Sequence, residues 1–414
     1  MSRPKQAQLE WNLLVLVTVA LVLFGLVMVY SATSASAALG GQSSTSYLKR
    51  QAIYAFAGIV LLVVASRWDF RRLRGIAQTL VTSALLACAA VLAIGQRING
   101  ARRWISFGPA AFQPSELAKL ALVVWLAAYL AGRPAPRSLR ELGKPIGLLV
   151  GVFCALVLAE PDLGTAIVIV ITVGAMLLVS GTSLPALTSA YGVVAALAAV
   201  AAWSSPYRRA RLLTFLDPWK DPHGAGLQNV QALISLGSGG IFGRGLGQGI
   251  EKIHYLPEAH TDMIFGVIGE ELGLVGVSVV ILGYCAFAYA GLRLAIGCRD
   301  PFGKRLAAGI TALVCGQAAI NLAAVVGLAP LTGIPLPFVS YGGSSLVVML
   351  TSVGILLNIA RGERRRAAAA VPDRGRGDGR PRGAGARGGG GVARAGSGRD
   401  VRRLAGSGRG PARS

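Results

Sequence analysis

Two carboxylates and a histidine lie within five residues of one another where a polar stretch runs into an apolar one. They are Glu258, His260 and Asp262, in residues 255–265, and the chain has only three histidines in all. Side chains of these types accept and donate protons and bind metal ions. Ionisable groups at the mouth of an apolar segment are costly to keep there and commonly functional. The sequence therefore places its candidate chemistry in this stretch.

Asp262 stands where the apolar segment begins. The N-terminal end of a helix stabilises an anion, so the carboxylate is predicted to be ionised and able to accept a proton or hold a cation. Thr261 could help cap the same helix, and Glu258 and His260 could orient Asp262 or share a metal with it. The alternative is that Asp262 only caps the helix, a common role for Asp. With Glu258 and His260 beside it, chemistry is the favoured interpretation.

The elements that must position these residues are membrane helices. The chain has 414 residues, of which 53% are hydrophobic and 14% charged, and its mean hydropathy is +0.59. Its apolar residues come in runs of about twenty, the length that crosses a bilayer. We therefore predict an all-α polytopic membrane protein with about ten spans, near residues 12–32, 48–66, 76–95, 115–132, 144–159, 163–180, 184–203, 262–292, 305–328 and 341–360.

The net charge of +23 does not indicate nucleic-acid binding, because much of it lies in one terminal segment. From Arg361 onward there are 15 arginines and four acidic residues, in a sequence of mostly Gly, Ala and Arg. Residues 366–414 are therefore predicted to be a disordered cytoplasmic tail near anionic lipid. Residues 1–11 form a short cytoplasmic N-terminus, and the membrane domain covers 12–365. The five cysteines are predicted to form no disulfide.

Basic residues beside the spans set the orientation, since they are retained on the cytoplasmic side. They occupy alternate loops and both ends of the chain, so both termini are predicted to be cytoplasmic. Two loops on the external side are basic as well: residues 95–113 include Arg102 and Arg103, and the long loop 204–261 includes Arg208. We interpret these arginines as ligands for an anion at the outer leaflet. The alternative is that long loops escape the charge rule.

The long loop contains two further features. Residues 228–236 could form a short amphipathic helix that lies in the membrane interface. Residues 237–249 are rich in glycine, but no strand precedes them and no Gly-Lys-Ser/Thr follows, so they do not form a nucleotide loop. Close backbone packing explains these glycines better, as would amides turned toward a phosphate.

Two pairs of charged residues fall inside predicted spans. Glu116 and Lys119 share one helix face and should form an ion pair, because either charge alone is costly in hydrocarbon. That pair could fix helix packing or contact a substrate directly. Glu270 and Glu271 lie deeper than Asp262 and are predicted to make internal polar contacts, with a proton pathway as the alternative.

The last external loop, residues 328–345, is rich in residues that break helices. Irregular backbone at membrane depth is tolerated only when it is buried in protein or lines a cavity. Ser340, Ser344 and Ser345 are therefore predicted to line a polar cleft and to contact substrate. The alternative for Ser344 or Ser345 is a helix cap.

Taken together, these motifs resemble the SEDS family (shape, elongation, division and sporulation) of integral membrane proteins. The resemblance covers about residues 10–365. It is carried by residues 100–104 (Gly-Ala-Arg-Arg-Trp), 113–119 (Gln-Pro-Ser-Glu-Leu-Ala-Lys), 160–165 (Glu-Pro-Asp-Leu-Gly-Thr), 255–262 (Tyr-Leu-Pro-Glu-Ala-His-Thr-Asp), 269–273 (Gly-Glu-Glu-Leu-Gly) and 335–345 (Pro-Leu-Pro-Phe-Val-Ser-Tyr-Gly-Gly-Ser-Ser).

The resemblance implies a SEDS-type fold and a peptidoglycan glycosyltransferase that polymerises lipid II with inversion at the anomeric carbon. It implies a class B penicillin-binding protein and other division proteins as partners, and a divalent cation, Mg²⁺ or Mn²⁺. The essential Asp of the family falls on Asp262, which is also the expected metal ligand, and its intramembrane acid and base fall on Glu116 and Lys119. Ala259 favours the division branch, at the septum, over the elongation branch. Met263 departs from the Phe usual in the family.

Two other functions compete with this one. A transporter that flips lipid II across the membrane would also need basic loops and buried ion pairs, but it has no need of a proton acceptor fixed at the outer mouth. A purely structural scaffold for division proteins would leave Asp262 unexplained. The enzyme interpretation is therefore preferred.

Overall fold

The computed structural model describes residues 3–369, except for 39–43, 99–100, 108–109, 205, 225 and 254–256. Most of the described residues are helical. The α-helices are α1 (Arg3–Ala38), α2 (Ser44–Arg67), α3 (Arg72–Ile94), α4 (Pro114–Ala131), α5 (Leu139–Leu142), α6 (Leu148–Ala159), α7 (Leu163–Val179), α8 (Leu184–Trp203), α9 (Pro206–Leu216), α10 (Leu227–Ser238), α11 (Ile264–Gly297), α12 (Pro301–Val325) and α13 (Gly343–Ala369).

Every predicted span coincides with a helix. Within the described residues, eight helical segments are long and apolar enough to cross a membrane. Two further apolar segments, Leu163–Val179 and Leu184–Val200, are shorter. The predicted tail lies almost entirely outside the described residues, apart from the end of α13, which continues past the predicted boundary to Ala369. All five cysteines are free thiols.

The loop between α3 and α4 contains strands, which the helical expectation did not include. Strands β1 (Gln96–Ile98), β2 (Ala101–Phe107) and β3 (Ala110–Phe112) form an antiparallel sheet in the order β1-β2-β3. The sheet gives this segment's backbone groups partners of their own. It also holds Arg102 and Arg103 on one short strand.

The centre of the bundle is built from α4, α12 and α13. More than two thirds of the apolar stretch of α4 and of α13 is buried inside the protein, and α12 is nearly as enclosed. Helix α13 packs against α2 and α1, and α12 packs against α4, α7 and α11. By contrast, the apolar side chains of α2 and α8 are largely exposed, as expected for helices that face lipid. The central helices are therefore enclosed by the other helices of the bundle.

Helix α11 is interrupted at Gly273, which has a φ of 64°. Only glycine adopts this region without strain. An unbroken helix of 34 residues would be about 51 Å long, well beyond the roughly 30 Å of a hydrocarbon core. The break divides α11 into a shorter segment, residues 264–272, and a longer one, residues 274–297.

The glycine-rich loop fills the break in α11. The amides of Leu274 and Val275 donate to the carbonyls of Gly240 and Ile241, at 2.9 and 3.2 Å. A Cβ at Gly243 would lie 2.2 Å from the Glu271 carbonyl oxygen. Close backbone packing is thus confirmed for Gly239 and Gly243, whereas a Cβ at Gly237, Gly240 or Gly247 would meet nothing within 4 Å. The loop satisfies the backbone groups that the interruption of the helix sets free.

The same loop neutralises both glutamates of α11. The amides of Ile250 and Glu251 donate to the Glu270 carboxylate, the former at 2.8 Å, and Arg244 lies 3.4 Å from it. Lys252 Nζ lies 2.6 Å from Glu271 Oε1, with both side chains buried. The prediction of internal contacts for Glu270 and Glu271 is confirmed. Lys252, although it belongs to the long basic loop, is therefore buried as the partner of the Glu271 carboxylate.

The predicted amphipathic helix exists as α10, and it packs against α11. Ser235 on its buried face donates to the Gly266 carbonyl at 2.9 Å. A Cβ at Gly239 would lie 1.9 Å from the Gly269 carbonyl oxygen. Residues 227–252 therefore pack against the first part of α11. They hold in place the end of the helix that follows Asp262.

Breaking the Lys252–Glu271 pair should destabilise the fold. Lys252→Met leaves the Glu271 carboxylate buried with the Ser31 hydroxyl as its partner, and an uncompensated buried charge costs about 3–5 kcal/mol. We expect a clearly lower unfolding temperature for Lys252→Met in detergent. The double variant Lys252→Met with Glu271→Gln should lose less stability than the two single variants summed. Lys220→Met, an exposed lysine of the same segment, is the control, and strict additivity would show that the pair does not interact.

Candidate functional site

Asp262 lies in a tight turn immediately before α11. The amides of Thr261 and Met263 donate to the Glu258 carbonyl at 3.0 and 3.4 Å, and Glu258 has a left-handed φ of 55°. Helix α11 begins at Ile264 with Met263 at its N-cap position, so Asp262 is not the cap. Asp262 is 7% exposed.

Thr261 connects the two carboxylates instead of capping the helix, which corrects the capping role expected for it. Its hydroxyl lies 3.0 Å from Glu258 Oε2 and 3.2 Å from Asp262 Oδ1. A single hydroxyl proton is shared among these acceptors, so the two carboxylates lie close together on one side of the turn. The structure thus brings together three of the predicted residues.

His260 belongs to an aromatic cluster. Its ring centroid is 5.0 Å from that of Tyr47 and 5.5 Å from that of Tyr341. Burial lowers the pKa of His260, against the opposing effect of the Glu258 carboxylate, so the imidazole is neutral at pH 7. The Tyr341 amide also donates to the His260 carbonyl at 2.9 Å. His260 therefore ties the Asp262 turn to α2 and to the loop before α13.

The residues of the turn fit a divalent cation of the hard type. Mg²⁺ is commonly held by one or two carboxylates together with the phosphates of a substrate, and Asp262 and Glu258 supply two carboxylates on one turn. Among the described residues, no group of three His, Cys, Asp or Glu side chains is placed to hold a metal ion. His260 packs against tyrosines, which leaves the two carboxylates as the candidate ligands.

Two residues beside Asp262 were missed by the sequence reasoning. Asn321 of α12 donates from Nδ2 to the Asp262 carbonyl at 2.8 Å and to the Ile334 carbonyl at 2.9 Å. Gly333 has a φ of 69°, and a Cβ there would lie 3.9 Å from Asp262 Oδ2. The sequence does contain a signal for Asn321. It is a carboxamide inside an apolar helix, and such a residue is costly unless it makes a specific contact.

The predicted ion pair between Glu116 and Lys119 is confirmed. Lys119 Nζ lies 2.9 Å from Glu116 Oε1, and both side chains are buried. Lys119 also donates to Gln317 Oε1 at 2.6 Å, and Gln317 Nε2 donates to the Pro335 carbonyl at 2.9 Å. The chain of contacts runs from α4 through α12 to the same loop that Asn321 holds. Glu116 Oε2 is buried and has no hydrogen-bond partner among the described residues.

The three predicted serines are all buried in the loop before α13 or at the start of that helix. Ser340 Oγ accepts from the Leu336 amide at 2.8 Å, and Ser344 Oγ accepts from the Gln113 amide at 3.3 Å. Ser344 therefore joins α13 to the start of α4 and is not a helix cap. The Ser345 hydroxyl is buried without a partner among the described residues. Their contact with a substrate stays a prediction.

The predicted arginines contact backbone carbonyls. Arg102 donates to the Leu92 carbonyl, at 3.1 Å, at the end of α3. Arg103 donates to the Glu160 carbonyl at 2.8 Å and also to the Pro161 carbonyl. These bonds fix the β-sheet against the ends of α3 and α6. The side chain of Arg208 lies outside the described residues, so its predicted role is untested.

Glu160 is a further acid of this region. Its side chain is fully buried, and neither carboxylate oxygen has a hydrogen-bond partner among the described residues. Burial, followed by the neighbouring Asp162 carboxylate, raises the pKa of Glu160 to about 8, against the lowering effect of Arg103. Asp162 itself caps α7 through the Thr165 amide at 3.0 Å and accepts from Gln113 at 3.2 Å.

Segments that are far apart in the chain therefore meet at one end of a helical bundle, around an acidic turn that lies outside any helix. This architecture is that of a polytopic membrane protein with a site at the mouth of its bundle. Residues 11–365 match the family model of FtsW, RodA and SpoVE, described as "Cell cycle protein". The chain belongs to this family, which confirms the predicted SEDS membership.

Relatives and solved structures agree with this assignment. The "Probable peptidoglycan glycosyltransferase FtsW" of Geobacter metallireducens is 41% identical over 350 residues, covering 84% of this chain and 93% of the relative. A solved chain from "Structural coordination of polymerization and crosslinking by a peptidoglycan synthase complex" has a TM-score of 0.70 at 32% identity, covering 84% of this chain and 97% of that one. Thermus thermophilus RodA has a TM-score of 0.62 at 31% identity, covering 84% and 96%.

Glu160 should make the stability of the protein depend on pH. Its pKa is raised from 4.5 to about 8, so the folded state holds the proton more tightly than the unfolded state between these values. The free energy of unfolding should therefore fall as pH rises from about 4.5 to about 8 and then level off. Glu160→Gln, which mimics the protonated acid, should match the wild type at pH 5 and unfold at a higher temperature at pH 8.

Thermal unfolding in detergent at several pH values measures this difference. Glu141→Gln, in an exposed segment at the start of a short helix, is the matched control and should not change the pH profile. A difference between Glu160→Gln and wild type that is the same at every pH would contradict the raised pKa.

Proposed function

We propose that this chain is a peptidoglycan glycosyltransferase that polymerises lipid II at the outer face of the cytoplasmic membrane during cell division. The observation that carries the proposal is the placement of Asp262. Its carboxylate lies in a turn at the mouth of the bundle, joined to Glu258 through Thr261. The family membership and the name of the FtsW relative support the same activity.

Asp262 acts as the general base in this proposal. It takes the proton from a hydroxyl of the acceptor sugar while that oxygen attacks the anomeric carbon of the donor. The bond from the anomeric carbon to the lipid-linked pyrophosphate breaks, and attack from the opposite face gives inversion. A carboxylate fixed by its own turn needs little reorganisation when the reaction occurs, which is how positioned groups contribute to rate.

The departing pyrophosphate needs positive charge. A divalent cation held by Asp262 and Glu258, Mg²⁺ or Mn²⁺, would supply a Lewis acid for it. Arg102, which is exposed on β2, and Arg103 beside it are the protein's own candidates for the same task. Glu116 and Lys119 support the site from inside, through the contacts of Gln317 with the last loop.

The membrane context follows from the same proposal. The undecaprenyl chain of lipid II would lie between helices, along the apolar exterior that α2 and α8 present. Both termini would be cytoplasmic, since the basic residues at the two ends of the chain and in the alternate loops between spans would lie on the side opposite Asp262. A class B penicillin-binding protein and other division proteins at the septum are the proposed partners. A solved structure from a peptidoglycan synthase complex supports the first of these partners.

Replacing the base tests the proposal directly. Asp262→Asn keeps the shape of the side chain but cannot take a proton, so polymerisation should fall by at least about 100-fold, while the thermal unfolding temperature stays close to that of wild type. Asp217→Asn, an exposed aspartate of the same long segment, is the matched control and should keep full activity. Glycan formation by Asp262→Asn at the wild-type rate would rule out Asp262 as the general base.

Lipid II in detergent micelles separates an enzyme from a flippase, because micelles have no leaflets to cross. The purified protein, with and without its cognate transpeptidase, should convert this lipid II into glycan, and faster with Mg²⁺ or Mn²⁺ than with a chelator. Translocation of lipid II in liposomes with no polymer in micelles under any condition would establish the flippase instead. Full activity in chelator would overturn only the proposed role of the divalent cation.

Complementation of division or of elongation mutants would distinguish a septal polymerase from a RodA-type one.

A further inference from the structure

Asn321 is a buried polar residue on the central helix α12 that the reaction scheme above does not use. It is 2% exposed, and its neighbours along the helix are Ile320 and Leu322. A carboxamide in such a position is expensive unless it makes hydrogen bonds. Its presence in the most enclosed layer of the bundle therefore needs a specific contact.

The contact is a bridge between two irregular segments. Asn321 Nδ2 donates one hydrogen bond to the Asp262 carbonyl, at 2.8 Å, and the other to the Ile334 carbonyl, at 2.9 Å. Both donor hydrogens of the amide are thereby used. Both acceptors lie outside helices, one in the turn before α11 and the other in the loop between α12 and α13. The bridge is anchored on a helix that the rest of the bundle encloses.

The bridge also holds the loop before α13 close to the Asp262 carboxylate. Gly333 precedes the bonded carbonyl of Ile334, and its φ of 69° turns the backbone so that a Cβ there would lie 3.9 Å from Asp262 Oδ2. Because the same amide bonds Asp262 and Ile334, it fixes how closely the loop approaches the carboxylate. Asn321 Oδ1 is buried with no partner among the described residues, so within this part of the chain the side chain bonds through Nδ2, in the two bonds that form the bridge.

We propose that Asn321 is a positioning residue, whose side-chain amide couples the Asp262 turn to the loop before α13 and sets the placement of the Asp262 carboxylate for catalysis. This inference rests on the proposed function. Misplacement of a reacting group by about 1 Å costs on the order of 100-fold in rate. The loss of the bridge should therefore lower kcat strongly and leave the KM for lipid II nearly unchanged.

The first test uses Asn321→Leu and Asn321→Asp in the full-length protein with lipid II in micelles. Asn321→Leu removes both donors at similar volume, and we expect kcat to fall by roughly 100-fold with KM changed less than about twofold. Thr311→Val, which removes a buried hydroxyl of the same helix that bonds only the Ala307 carbonyl, is the control for stability. It should keep the wild-type kcat.

Asn321→Asp gives a readout that a purely structural role would not change. A carboxyl buried between two carbonyl oxygens has a raised pKa. When protonated it donates to one carbonyl and partly restores the bridge, and when ionised it repels both. The activity of Asn321→Asp relative to wild type should therefore rise as pH is lowered, whereas the ratio for Asn321→Leu should stay flat.

The outcomes separate the two proposals. If wild type makes glycan and Asn321→Leu makes it with the same kcat, the positioning role is wrong and the proposed function stands. If the activity of Asn321→Asp is a constant fraction of wild type at every pH, the amide acts only through stability, and the inference fails. If wild type makes no glycan under any partner or metal condition, the proposed function fails and the inference falls with it.

Discussion

The structure depends on one constraint, which is that irregular backbone at membrane depth must find its hydrogen bonds inside the protein. Four irregular segments meet at one end of this bundle, and each is held by groups from another part of the chain. Arg103 binds the turn after α6, Asn321 binds the turn before α11, and Ser344 binds the start of α4. The glycine-rich loop satisfies the broken part of α11 around Gly273. The site is the place where these requirements are met together.

The same constraint explains why charge in a loop is a poor guide to ligand binding. Lys252 lies in a segment rich in basic residues, yet its ammonium is buried against Glu271. The amides of Ile250 and Glu251 donate to the Glu270 carboxylate. From the glycine-rich sequence alone, a phosphate would be an equally good acceptor for amides of this loop. Burying these groups as partners costs less than burying any of them singly. They shape the loop, and the charge that faces a ligand is smaller than the composition indicates.

Asp262 combines two requirements that a helix could not meet. A residue inside α11 would have its carbonyl committed to the helix, whereas the Asp262 carbonyl accepts from Asn321 and is thereby attached to α12. The Asp262 carboxylate, by contrast, lies beside the Thr261 hydroxyl and close to Gly333. Rigidity thus comes from the backbone contact and chemistry from the side chain. This separation allows a group to be fixed without losing its capacity to react.

The sequence by itself determined the membrane class, the positions of the apolar helices, the family motifs and the pairing of Glu116 with Lys119, because hydrophobic run length and i,i+3 spacing are local properties. It also predicted Asp262 as the central acid. Only the tertiary structure decided the β-sheet after α3, the break at Gly273, the inward position of Lys252 and the bridge from Asn321. Apart from the β-sheet, whose strands are neighbours in the chain, these features depend on contacts between residues 13 to 59 positions apart. No local pattern records which distant carbonyl or carboxylate a buried polar side chain will meet.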